Sequence, residues 1–125
     1  MVDPLDVAER LFAAIEAGDV DAVAALYGPD TVVWHNTDGV EQAVADNLHT
    51  LAWLTKRCSD VRYTDVRRSA TATGFVQQHV LRLTSPAGEA LALPACIVAT
   101  VDDDGRITRV DEYLDSAQVA RLARP

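Results

Sequence analysis

Two short stretches, Ser85-Pro86-Ala87-Gly88 and Asp102-Asp103-Asp104-Gly105, have the composition and length of hairpin turns, and they divide the second half of the chain into long runs of apolar and β-branched residues. Runs joined by connections this short pair antiparallel, so residues 73–84, 89–101 and 106–114 are expected to form a meander, preceded by one more strand over 61–67. The first half reads differently. Asp3 before Pro4 is a cap followed by a first-turn proline, and Val7, Leu11, Ala14 and Ile15 recur at helical spacing until Gly18. Asp19 can cap a second helix running through Val23, Leu26 and Tyr27 and stopped by Gly28-Pro29. Residues 31–35 read as a short strand with a turn at 37–39, and Val44, Leu48, Leu51 and Leu54 mark a third helix over about 41–56. Asp115 or Ser116 can cap a short last helix carrying Val119 and Leu122. Helices first and strands later is an α+β pattern, with helices packed on one face of a curved sheet.

The 125 residues suit a single domain over 1–125 with one real core. With 11 basic against 19 acidic residues, a net charge of −8, neither nucleic acid nor an anionic membrane is an expected partner. Cys58 and Cys96 lie far apart with no CxxC spacing, so neither a zinc site nor a disulfide framework is indicated, and free thiols in a reducing cytoplasm are the expectation. The opening residues have no basic region followed by an apolar core, and no run approaches the ~20 apolar residues of a membrane span. A cytoplasmic location is therefore expected.

The last strand carries the chemistry. Side chains alternate along a strand, so Val110, Glu112 and Leu114 share one face while Asp111, Tyr113 and Asp115 share the other. A carboxylate between two aliphatic residues, if that face is inside, is suited to general acid or base work. An exposed face or an edge ion pair is the competing reading.

The order of elements, with Ala17-Gly18-Asp19-Val20-Asp21 at the helical hairpin, Val32-Val33-Trp34-His35-Asn36 on the first strand and Gly105-Arg106-Ile107 leading to Glu112-Tyr113-Leu114-Asp115, resembles the nuclear transport factor 2-like superfamily, particularly its SnoaL-like and limonene epoxide hydrolase-like members. The resemblance implies a cone in which helices close over a strongly curved sheet around an apolar pocket. It also implies a homodimer formed through the outer sheet face. In the epoxide hydrolases the last strand carries Trp-Arg-Asp-Tyr-Phe-Asp with the first aspartate catalytic, and Val110 to Asp115 occupy the same places, so Glu112 falls on the catalytic acid. The water-positioning Tyr-Gln-Asn matches Trp34-His35-Asn36. Where that family has Arg-x-Asp this chain offers neither arginine nor acid, and Gln77 with His79, or Gln78 with Val80 in the other register, take those places. The first pair is preferred because it would rebuild an acid/base set beside Glu112, closer to the histidine and acid of SnoaL-like cyclases.

The expected catalytic residues are thus Glu112 and His79, with Trp34, Asn36, Gln77, Trp53, Val110 and Leu114 against the substrate. The expected ligand is a small apolar molecule, with no cofactor and no metal. For His79 a packed structural histidine remains open, as does a core position for Trp53. His35 lies on the parity opposite to Trp34 and Asn36 and is expected outside the pocket. His49, one turn before Trp53, is explained by pairing on the helix surface. Tyr63 alternates with Val61 and is placed to turn its hydroxyl into the cone, whereas Tyr113 belongs to the outer face. A non-catalytic binding or dimeric accessory module on the same cone is the alternative function.

Overall fold

A computed structural model of the chain describes residues 2–124. The Asp3 carboxylate accepts from the Leu5 amide at 2.9 Å and opens α1 (Pro4–Glu16), which buries Val7, Leu11, Phe12 and Ile15. Asp19 accepts from the Ala22 amide at 3.1 Å and opens α2 (Val20–Leu26). The expected stop at Gly28-Pro29 is not one. The chain is already extended at Tyr27, and β1 (Tyr27–His35) runs through both residues. The helix expected from 41 also starts later, because Glu41–Gln42 forms a two-residue strand, β2, and α3 spans Val44–Arg57. Then come β3 (Ser59–Ala70), β4 (Gly74–Thr84), β5 (Ala90–Val101), β6 (Ile107–Leu114) and α4 (Ser116–Leu122), the last capped by Asp115. Among the described residues no helix is long and apolar enough to cross a membrane.

The six strands make one curved sheet in the order β2-β1-β6-β5-β4-β3. The expected meander is present as β4-β5-β6, and β3 precedes it antiparallel. β1 joins β6 in parallel, the one parallel pairing of the described sheet. β3 carries two register shifts against β4, and Asp60 and Asp65 next to them adopt φ of +53° and +54°. Bulges of this kind bend and twist an edge strand, which curls the sheet around the helices.

The inner face of the sheet packs on α1 through Phe75, Ile97, Ala99, Ile107 and Val110. A second cluster of Leu81, Leu83, Leu91, Leu93 and Cys58 lies toward α4, with Val119 and Leu122 against it. On α3, Val44, Leu48, Leu51 and Leu54 are only half-buried, and Asn47 is the one buried residue. That helix faces a space that side chains do not fill.

At the start of β4, Gly74 passes so close to β5 that a Cβ there would lie 2.0 Å from the Ala99 carbonyl oxygen. Only glycine fits, since the obstacle is backbone and cannot turn away. Gly74→Ala is expected to destabilise the fold by about 3 kcal/mol, read as a lower urea midpoint at unchanged m-value.

Candidate active site

Between α3, α4 and the concave face of the sheet lies a cavity of about 260 Å³. Aliphatic and aromatic side chains line most of it, among them Phe12, Leu51, Leu93, Ile97, Val110 and Leu114. Polar groups converge from one side: Glu112 from β6, His35 from the end of β1, Tyr27 from its start, and Gln42, Asn47 and Thr50 around α3.

Parallel pairing sets His35 directly beside Glu112 on the next strand. His35 Nε2 lies 3.0 Å from Glu112 Oε1, and both side chains are less than one-fifth exposed. The hydrogen bond to Glu112 raises the pKa of His35 above the ordinary imidazole value of ~6.5; burial opposes the shift, and the charges of Glu112 and Asp38 add to it. The shift favours the protonated ring, because the added proton faces the Glu112 side chain. Asn36 fastens this corner, its amide donating to the Leu114 carbonyl at 3.0 Å while its carbonyl accepts from the Leu114 amide at 2.7 Å.

Two tyrosines complete the polar wall. The Tyr27 hydroxyl donates to the Asn47 carbonyl at 2.7 Å, and the Asn47 amide donates to Gln42 at 3.3 Å. Tyr63, from β3, lines the cavity, and its ring packs edge-on against Phe12 and His79 with centroids 4.9 and 4.6 Å apart. Burial, and after it the charge of Glu112, pushes both phenols above their ordinary pKa, so both stay protonated and remain donors.

The expected site residues divide accordingly. Glu112, Val110, Leu114 and Trp53 line the cavity, Trp53 at its rim with 39% of its surface exposed. Gln77 and His79 both point inward and are buried, while Gln78 is exposed. His79 is nevertheless not the neighbour of Glu112. In the sheet register His79 pairs with Ala95 and Ala95 with Leu114, two residues beyond Glu112, so β5 lies between them and their strands are two spacings, ~10 Å, apart.

The place expected for His79 is taken by His35. Gln77 accepts from Arg68 Nε at 2.6 Å and contacts His79 Nδ1 at 2.9 Å through its amide nitrogen, which makes Nδ1 the acceptor and leaves the proton on Nε2. That Nε2 is sealed and unpartnered, and burial lowers the His79 pKa, with Glu112 opposing and Arg68 reinforcing.

Trp34 and Asn36 are corrected. Trp34 packs edge-on against Tyr113, centroids 5.4 Å apart, on the outer sheet face, and Asn36, just past the end of β1, bonds to the backbone of Leu114. Buried Thr31 and Val33 set the inward parity of β1, and His35 follows them into the cavity. His35, Tyr27 and Asn47 were not legible as site residues. The alternation Thr31, Val33, His35 was the available signal, and the size of Trp34 outweighed it. Among the described residues no three His, Cys, Asp or Glu side chains converge to hold a metal ion.

The sequence matches the SnoaL-like domain over residues 8–110. The chain belongs to that family. No curated protein resembles this SnoaL-like domain closely enough to count as a relative. Among solved structures it is similar to a nuclear transport factor 2-like protein of unknown function from Burkholderia pseudomallei, with a TM-score of 0.84 at 17% identity over the whole of both chains. It is also similar to a candidate polyketide cyclase from Pseudomonas putida KT2440, with a TM-score of 0.83 at 20% identity over 99% of this chain and 100% of that one. IdmH from Streptomyces antibioticus, likewise a candidate polyketide cyclase, gives 0.82 at 20% over 98% and 100%. At such identities the likeness is one of fold, and it agrees with the cone expected from the order of elements.

The two inward histidines should titrate in opposite senses. In an imidazole NMR titration the His35 midpoint is expected above ~6.5 and the His79 midpoint below it. Because folding raises the His35 pKa, the stability it contributes is fully present below the unfolded value and fades as pH rises through the folded one. His35→Gln is therefore expected to cost about 1–2 kcal/mol at pH 6 and progressively less at alkaline pH, read from urea melts.

Proposed function

We propose that this SnoaL-like domain catalyses cofactor-free proton transfer on a small, mainly apolar carbonyl compound. The observation that carries the reading is the His35–Glu112 pair, 3.0 Å apart, at the wall of an otherwise apolar cavity of about 260 Å³.

One carboxylate oxygen of Glu112 is occupied by His35, and the other has no protein partner among the described residues and is not sealed. That second oxygen takes a proton from the carbon next to the carbonyl: the C–H bond breaks, a carboxyl O–H forms, and the electron pair moves onto the carbonyl oxygen as an enolate. Tyr63, whose hydroxyl makes no hydrogen bond among the described residues, donates to that oxygen. His79, itself held by Gln77, acts behind it and packs edge-on against the Tyr63 ring. Returning the proton to another carbon isomerises the substrate; alternatively the enolate carbon attacks a second carbonyl within the same molecule, a C–C bond closes the ring, and the resulting alkoxide takes back the proton from the Glu112 carboxyl. Val110, Leu114 and Trp53 wall the substrate, and His35 keeps the carboxylate oriented between turnovers. A binding or accessory module is the second reading, and an acid, a base and a free phenol lining one cavity favour catalysis over it.

The homodimer belongs to the same proposal. Its support is an outer sheet face with Val66, Val98 and Tyr113 exposed and Trp34 packed edge-on against Tyr113. Sedimentation at micromolar concentration is expected to give the mass of two chains, and Val98→Asp is expected to shift it to one.

Exchange of the acidic C–H protons of 2-tetralone into D2O, followed by proton NMR, tests the chemistry. The wild type is expected to accelerate exchange, and Glu112→Gln to lose about 10²- to 10⁴-fold of it. Equal rates in the two proteins would overturn the role of Glu112.

A further inference from the structure

The direction of a hydrogen-bond chain can be read back from an end that only accepts. Along the α3 side of the cavity that end is a backbone carbonyl. The Thr50 hydroxyl donates to the Asp46 carbonyl at 3.1 Å, which has no proton to return. The Thr50 oxygen is then left as an acceptor, and the Gln42 amide nitrogen meets it at 3.2 Å. This turns the Gln42 carbonyl toward Asn47, whose amide nitrogen donates to it at 3.3 Å. The Asn47 carbonyl in turn accepts from the Tyr27 hydroxyl at 2.7 Å. Asn47 is 3% exposed, so neither end of its amide can turn to water instead.

Tyr27 therefore stands in the cavity wall with its proton committed to the protein, and its oxygen offers the cavity lone pairs only. Burial and the nearby Glu112 charge keep the phenol from ionising, so the commitment holds at neutral pH. The free oxygen of Glu112 is an acceptor as well. The wall formed by these two oxygens has no donor of its own, and an apolar ligand that covers it without supplying one leaves a buried acceptor unpaired, which is costly.

We propose that Tyr27 determines specificity in this cavity by accepting a hydrogen bond from a ligand hydroxyl, so that ligands carrying an O–H are selected over equally apolar ones whose oxygen bears no proton. The inference rests on the cavity being the substrate site, as proposed above, and it adds that the carbonyl substrate is hydroxylated. Asn47, Gln42 and Thr50 are positioning residues. They do not touch the ligand through this chain but keep the Tyr27 proton turned away from it.

The test compares 2-naphthol with 2-methoxynaphthalene, which share a ring system and differ in whether the oxygen carries a proton. Dissociation constants for both, measured by NMR titration of the full chain, are expected to favour 2-naphthol in the wild type. Tyr27→Phe is expected to reduce that preference about 3- to 10-fold, the equivalent of one neutral hydrogen bond. Thr50→Val cuts the chain at its exposed end and spares the core. It is expected to move the preference the same way, because Gln42 and Asn47 can then turn over and release the Tyr27 proton toward the ligand. A merely structural Tyr27 would weaken both probes alike. A preference unchanged in Tyr27→Phe and Thr50→Val, or a wild type that binds neither probe, overturns the inference. The catalytic reading fails separately: it stands or falls on the exchange rate in Glu112→Gln, whereas this one is an equilibrium ratio read in variants of Tyr27 and Thr50.

Discussion

The parallel pairing of β1 with β6 is the constraint on which everything in the cavity depends. It joins residues nearly eighty positions apart, and it alone sets His35 against Glu112. A slip of one residue would turn Glu112 or His35 to the outer face. Asn36 guards against that slip by satisfying both the backbone N–H and the carbonyl of Leu114 with its side chain, while its backbone N–H donates to the Glu112 backbone carbonyl at 3.0 Å. A side chain that looks from its position like a ligand contact is a register clamp.

A second requirement is space. The aliphatic positions of α3 have the periodicity of a core helix, yet they remain half-buried because the curled sheet and the helix do not close on each other. Filling that volume with side chains would gain packing stability and remove the site. Polar groups survive beside it because each is either paired within the protein, as Asn47 is, or aimed into the cavity, as Tyr63 is. Among the described residues His79 is the exception, a buried imidazole with an unpartnered N–H.

What could be read in the sequence follows from what is local. The meander was legible because hairpin turns announce themselves in a few residues, and the inward placement of Glu112 followed from the parity of a regular strand. Gln77 and His79 also lie inward, although alternation alone left Gln78 and Val80 as the other choice and the preference came from the acid/base set the first pair would rebuild. The second strand element was missed because two-residue strands have no pattern of their own, and Tyr27 was lost to a glycine-proline pair that reads as a stop yet lies within a strand. His35 was misplaced for a different reason. Its parity was judged from Trp34, and a large aromatic is as well accommodated against Tyr113 outside as in a pocket. No local signal foretells that the first long strand will lie beside the last.

The α4 side of the cavity has its own consequence. This wall is a seven-residue helix that rests Val119 and Leu122 on the leucine cluster and is tied by the Arg121–Glu89 ion pair. A helix that short has no stability of its own in water. It can fray and re-form without disturbing the meander beneath it, so a molecule leaving the cavity does not have to wait for the fold to open. The barrier to exchange is local, and its height is set by a few side chains at the end of the chain.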